Sequence, residues 1–213
     1  MIVIIDYGMG NLKSVYNALK KLDIPCMISS NIEDINNALA LILPGVGAFP
    51  DAMDNLNKYN LVSVIRKKVS EGCPLLGICL GMQMLFEKGY EGAEKEGLGF
   101  IKGTVKLMEP VETMETIETV KKVKVPHIGW NRLEIVQDNP LLNNLKEESF
   151  VYYVHSYCAT GVSEEDLVAY SEYGGMHLTG LVSKGNVMGA QFHPEKSGEV
   201  GLEILRNFWE MVK

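Results

Sequence analysis

An open α/β sheet with a flavodoxin-like core, mainly parallel at its centre and flanked by helices with antiparallel additions, is the fold this sequence predicts. Three observations carry that expectation. The first half alternates short apolar runs with stretches whose apolar residues recur at helical spacing, the mark of strand–helix–strand units. The second half is a run of short apolar segments separated by turn residues, which suits antiparallel strands added to such a sheet. Between them, the run Pro74-Leu-Leu-Gly-Ile-Cys-Leu-Gly-Met-Gln83 reads as a buried strand that turns sharply into a helix.

Taken in order, Met1-Ile-Val-Ile-Ile-Asp6 reads as a first strand, over 2–5, rather than a signal peptide. A helix from about 12 to 22 places Leu12, Val15, Tyr16, Leu19 and Leu22 on one face. A strand at 25–29, a short helix near 33–38 and a strand at 39–43 follow. A second amphipathic helix near 60–71 buries Leu61, Val64, Ile65 and Val69, and Gly72 ends it. After the strand at 74–79, short strands are expected near 98–108, 132–137, 150–158, 166–171, 178–183 and 187–192. Lys184-Gly-Asn186 suits a hairpin turn. A last helix, about 198–212, turns Leu202, Leu205, Phe208, Trp209 and Val212 to the sheet. The 213 residues form one domain, 1–213, large enough for a substantial core.

The chemistry starts at Cys79. Gly77 and Gly81 flank it at i−2 and i+2, where a side chain would collide across a tight turn. Such a turn lifts the thiol clear of the sheet towards the positive end of the following helix, which favours thiolate. A catalytic thiol needs an imidazole, and the chain offers His127, His155, His177 and His193. His193 precedes Pro194 and so reads as the extended end of a strand that the proline closes. Alternation would set His193 and Glu195 on one face, giving base and orienting carboxylate in one tripeptide. A strand running into Pro44-Gly-Val-Gly47 could add backbone N–H groups of Val46 and Gly47 to that of Leu80 as an oxyanion hole.

Together, Gly77-Ile-Cys-Leu-Gly-Met-Gln83 and His193-Pro-Glu195 resemble the class I (triad) glutamine amidotransferases. Further stretches resemble the glutaminase subunits of imidazole glycerol phosphate synthases, from histidine biosynthesis. They are Asp6-Tyr-Gly-Met-Gly-Asn11, Pro44-Gly-Val-Gly-Ala-Phe49, Pro126-His-Ile-Gly-Trp-Asn131, Tyr152-Tyr-Val-His-Ser-Tyr157 and Gln191-Phe-His-Pro-Glu-Lys-Ser197. They occur in family order and span nearly the whole chain.

The resemblance implies that Cys79, His193 and Glu195 hydrolyse L-glutamine to glutamate and ammonia through a thioester. It implies that Gln83, Glu91, Ser156 and Tyr157 hold glutamine, the last two by main chain against its α-carboxylate. Asn11, Trp130 and Lys196 would meet a (βα)8-barrel synthase subunit in a heterodimer. That partner would use the ammonia to form imidazole glycerol phosphate and an aminoimidazole carboxamide ribotide. Gln83 could otherwise be a helix-surface glutamine, Trp130 a core residue and Lys196 a solvated one. His127 and His155 read as structural or interface residues.

Composition sets the limits. A content of 46% hydrophobic and 22% charged residues suits a soluble globular protein, and no apolar run is long enough to span a membrane. Cysteines 26, 73, 79 and 158 lack Cys-x-x-Cys spacing, so no metal, cofactor or redox pair is expected, and a cytoplasmic location fits. The net charge of −7 speaks against a nucleic-acid surface. Within residues 111–123, apolar Val111, Met114, Ile117 and Val120 repeat every three residues, which gives neither helix nor strand a clean buried side. The family usually connects more briefly here, so about 110–124 reads as an insertion. Two other readings share many of these features: a paralogous glutaminase feeding a different synthase, as in surface-sugar amidation, and a peptidase-like hydrolase of similar architecture. A non-catalytic regulatory module would not need all three triad members.

Overall fold

A computed structural model describes residues 1–109 and 124–212. In chain order the elements begin β1 (Ile2–Ile5), α1 (Leu12–Lys21), β2 (Cys26–Ser29), α2 (Ile32–Asn36), β3 (Ala40–Gly45), α3 (Phe49–Lys58), α4 (Leu61–Ser70), β4 (Leu75–Cys79) and α5 (Leu80–Gln83). They continue β5 (Phe86–Gly89), β6 (Lys95–Glu96), β7 (Ile101–Leu107), β8 (His127–Arg132), β9 (Glu134–Ile135), β10 (Phe150–His155) and β11 (Tyr157–Thr160). The last are β12 (Leu167–Tyr173), β13 (Met176–Lys184), β14 (Val187–Ala190) and α6 (Gly198–Glu210).

The main sheet has the order β2-β1-β3-β4-β14-β13-β12-β9. Its first five strands run parallel and its last three are added antiparallel. The parallel strands read as unbroken apolar runs because both faces are covered. Ile2 and Ile4 join the core shared with α1 and α6, while Val3 and Ile5 join the core shared with α3 and α4. Each fully buried side chain of this size contributes roughly 2 kcal/mol through loss of hydrated surface. β8 and β10 form a separate two-stranded ribbon, and β11-β7-β5-β6 a small second sheet.

Local chemistry explains several element ends. Asn31 caps α2 by accepting from Glu33 N at 2.8 Å. Lys20 and Lys21 sit at the negative end of α1. The predicted hairpin forms: Lys184 pairs with Val187 around a two-residue turn in which Gly185 takes φ +58.

The structure adds one element to the sequence reading, moves another and decides the alternative left open for Trp130. The helix α3 was not foreseen, although Phe49, Ala52, Met53 and Leu56 are its buried face and Pro50 sits in its first turn. The strand expected at 132–137 is instead β8, over His127–Arg132, with only two residues, β9, beyond it. Its periodicity is inverted: His127 is buried while Ile128 and Trp130 face outward. Trp130, 53% exposed, is therefore not a core residue. The proposed insertion at about 110–124 lies, apart from Lys124, outside the described residues. Among the described residues, no helix is long and apolar enough to cross a membrane.

Candidate active site

The parallel strands β3, β4 and β14 end side by side, and their carboxyl ends carry the site, where open α/β sheets place ligands. Cys79 closes β4 with φ +56 and ψ −112, a backbone conformation few non-glycine residues adopt. The surrounding glycines allow it. A Cβ on Gly77 would lie 2.6 Å from the Gly81 carbonyl oxygen, and one on Gly81 would lie 1.7 Å from that of Leu43. The helix that follows, α5, is a single turn, so the backbone turn itself does more to aim the sulfur than a long helix dipole would.

His193 lies beyond the end of β14, in extended backbone, and begins a 3-10 turn over Pro194–Lys196. Strand alternation is thus not what joins it to Glu195; the turn folds the carboxylate back. His193 Nδ1 and Glu195 Oε1 are 2.8 Å apart, and both side chains are 1% exposed. Ser197 Oγ donates to the His193 carbonyl at 2.7 Å and accepts from Tyr152 N at 2.9 Å, which pins this turn to β10. The other ring nitrogen, Nε2, makes no well-formed hydrogen bond and is buried on the Cys79 side.

The ring's affinity for a proton follows from these neighbours. Burial alone would lower it, but the Cys79 sulfur and the Glu195 carboxylate outweigh that and raise its pKa from 6.5 to about 9. A raised folded-state value stabilises the fold fully below the unfolded value and loses that stabilisation as pH climbs through the folded one. The denaturation-midpoint gap between the native chain and His193→Asn should accordingly narrow as pH rises from about 6 to about 9.5. A gap that widens over this window contradicts the ion-pair geometry.

A cavity of about 290 Å³ opens onto the sulfur. Val46, Gly47, Cys79, Leu80, Gln83, Glu91, Ser156, Tyr157, His193 and Lys196 all line it, as do Val154 and His155. Gln83 is not a helix-surface residue: it is 4% exposed and its Nε2 donates to Tyr157 O at 2.8 Å. Glu91 reaches the cavity while its Oε2 accepts from Phe49 N at 2.7 Å, capping α3. The loop of Val46 and Gly47 rests on the β1–α1 loop, where Tyr7 Oη donates to Pro44 O at 2.9 Å. Burial first, and then Cys79, push the Tyr7 phenol well above its ordinary value, so it stays a neutral donor.

Asn11 and Trp130 lie outside this cavity. Asn11 caps α1 without a side-chain hydrogen bond, and Trp130 meets Tyr152 edge-on on the exposed ribbon. A larger hollow of about 800 Å³, lined by residues such as Lys106, Cys158 and His177, contains no member of the triad. Among the described residues no group of three His, Cys, Asp or Glu side chains is arranged to hold a metal ion.

Sequence reasoning missed two contacts of the sulfur and the place of His155 beside it. Cys79 Sγ donates to Val154 O at 3.9 Å, and Gln191 Nε2 donates to Sγ at 3.8 Å. His155 lines the cavity, and its Nε2 lies 3.3 Å from Nδ1 of buried His127. Burial chiefly, with the nearby rings of His127 and His193, lowers the His155 pKa to about 4, so it is neutral at pH 7. The available signal was spacing: Gln191 stands two residues before His193, as Glu195 stands two after.

Comparison with known proteins shows the family through its relatives and the fold through solved structures. The family model described as glutamine amidotransferase class-I matches residues 3–211. The imidazole glycerol phosphate synthase subunit HisH of Lactococcus lactis is 49% identical over 211 residues, covering 99% of this chain and 98% of its own. The subunit of the same name from Caldanaerobacter subterraneus is 48% identical, covering 100% and 99%. A solved structure described as a glutamine amidotransferase shares the fold at TM-score 0.74 with 22% identity, covering 100% and 99% of the two chains. So does PurLQS from Thermotoga maritima, at TM-score 0.74 and 19% identity, covering 100% and 98%.

Proposed function

Because this chain belongs to the class-I glutamine amidotransferases, and within them to the HisH subunits of imidazole glycerol phosphate synthase, we infer that it is that enzyme's glutaminase subunit and acts in histidine biosynthesis. The observation that most strongly supports residue roles is one cavity holding the Cys79 sulfur, the His193 ring and every candidate glutamine contact.

Glutamine's side-chain amide is a weak electrophile and its amine a poor leaving group. Cys79 gives its proton to His193 Nε2 and the sulfur attacks the amide carbon, forming the C–S bond. The amide oxygen becomes an oxyanion, held by backbone N–H groups of Leu80 and the Val46–Gly47 loop; losing one such donor typically costs about 3 kcal/mol. The His193 imidazolium then protonates the departing nitrogen, the C–N bond breaks, and ammonia leaves a γ-glutamyl thioester. The neutral ring next takes a proton from water, whose oxygen attacks the thioester carbon and expels the Cys79 thiolate, releasing glutamate. Glu195 keeps the ring in the tautomer with Nε2 facing the sulfur and stabilises its charged form.

Gln83, Glu91 and the Ser156–Tyr157 main chain position the substrate, and Asn11, Trp130 and Lys196 meet the partner. That partner is a (βα)8 barrel that takes up the ammonia and makes imidazole glycerol phosphate and an aminoimidazole carboxamide ribotide. Exposed Trp130 and Ile128 on one ribbon face supply an apolar patch of the kind an interface uses. Full activity waits for this partner and its ligand, so the isolated chain is expected to be a feeble glutaminase. Ammonia release should rise by about 100-fold or more when the barrel subunit and its nucleotide ligand are added. Equal turnover without them rejects partner control.

A further inference from the structure

We propose that Gln191 is a catalytic donor whose side-chain amide stabilises the Cys79 thiolate, aimed by a relay of hydrogen bonds that starts at the carbonyl of Tyr157. The inference rests on the reading of Cys79 as the nucleophile.

The relay fixes each group in turn. A carbonyl only accepts, so the atom of Gln83 that lies 2.8 Å from Tyr157 O must be the amide nitrogen. That same nitrogen lies 3.0 Å from Gln191, whose facing atom must therefore be the oxygen. The Gln191 amide is thereby turned with its N–H towards Cys79 Sγ, at 3.8 Å. Its backbone is held as well, by Gln191 N donating to Gly180 O at 2.9 Å. Tyr157 O also accepts from His155 Nδ1 at 2.9 Å, which leaves His155 Nε2 bare to accept from His127 Nδ1 at 3.3 Å. One carbonyl thus sets two amides and two ring tautomers.

The consequence falls on the sulfur. Gln191 is wholly buried and Cys79 is 6% exposed, so a thiolate there has little water to solvate it. Val154 O accepts from the thiol and so favours the neutral form. Gln191 N–H offers the opposite: a neutral donor that strengthens when the sulfur is charged and remains in place after acylation. His193 takes the proton, and Gln191 helps carry the charge left behind.

The test is site-resolved alkylation of Cys79 by iodoacetamide against pH, read by peptide mass spectrometry on the full chain. Gln191→Met keeps the volume and removes the amide. Gln191→Glu keeps the acceptor for Gln83 but puts a carboxylate where the donor was. The alkylation midpoint should rise by about one pH unit for Gln191→Met and further for Gln191→Glu. In the complex, kcat should fall by about 10- to 100-fold with KM little changed. A folded Gln191→Met with an unmoved midpoint overturns the proposal. If that variant does not fold, Gln83→Met, which frees the amide to turn, decides by the same midpoint, expected to rise less. Because alkylation reads only the sulfur, this outcome is separate from failure of the nucleophile assignment, which retained glutamine hydrolysis in Cys79→Ala would show.

Discussion

Replacing Cys79 by alanine should abolish glutamine-dependent product formation in the complete synthase, by at least about 1,000-fold, because no other group can form the thioester. Synthesis driven by added ammonium salts should be unchanged, since the proposed reading assigns that chemistry to the partner subunit. Alanine is small, and the Cys79 side chain is packed against the core that includes Ile78 and Phe192, so only a modest loss of stability accompanies it. Both assays are run on the same purified complex. Persistence of both activities would remove Cys79 from the mechanism, and loss of both in a folded complex would mean that the two sites are not separable as described.

An equally severe effect is expected from a substitution that touches no reacting atom. Gly81→Ala puts a methyl group 1.7 Å from the Leu43 carbonyl oxygen and 2.7 Å from its carbon. Both are backbone atoms of β3, so no rotamer change relieves the clash; β3 and α5 must move apart. A loss on the order of 4 kcal/mol is expected, seen as a lowered urea midpoint or as insoluble protein, together with loss of the thiol's reactivity. Gly92→Ala is the control. Its φ is +75, but a Cβ there meets nothing within 4 Å, so only about 1 kcal/mol of backbone strain is expected. Similar midpoints for the two variants would mean the elbow tolerates more than its packing implies.

The elbow was legible in the sequence because its requirement is local: two glycines and a thiol within five residues leave one sharp turn as the sensible reading. The hairpin at Gly185 and the faces of α1 and α6 were legible for the same reason. What escaped depends on distance. The inverted alternation of β8, with Ile128 and Trp130 outside and His127 inside, makes sense only once Tyr153 and Tyr173 are seen stacked on that imidazole, at 4.9 and 3.9 Å. The contact of His193 with Glu195 was anticipated, but through alternation, whereas Pro194 ends extended backbone early and a 3-10 turn makes the contact. Gln191 could not be assigned from its neighbours, since its orientation is set by a carbonyl on β11 and an amide on α5. The helix α3 is different: its 49, 52, 53, 56 spacing was readable, and Pro50 and Asp51 are first-turn residues rather than breakers.

The thiol-bearing strand β4 lies beside β14, with Gly77 opposite Gly189 and Ile78 opposite Ala190, although Cys79 and Gln191 are 112 positions apart. Pairings between such remote segments close late, after the entropy of a long loop has been overcome. The elbow at Cys79 therefore stays inert until the segment from β14 to Glu195, more than a hundred positions further along, has been made and has paired with β4. A chain interrupted anywhere before that segment would hold the thiol without its imidazole, so truncated products are expected to be silent rather than leaky.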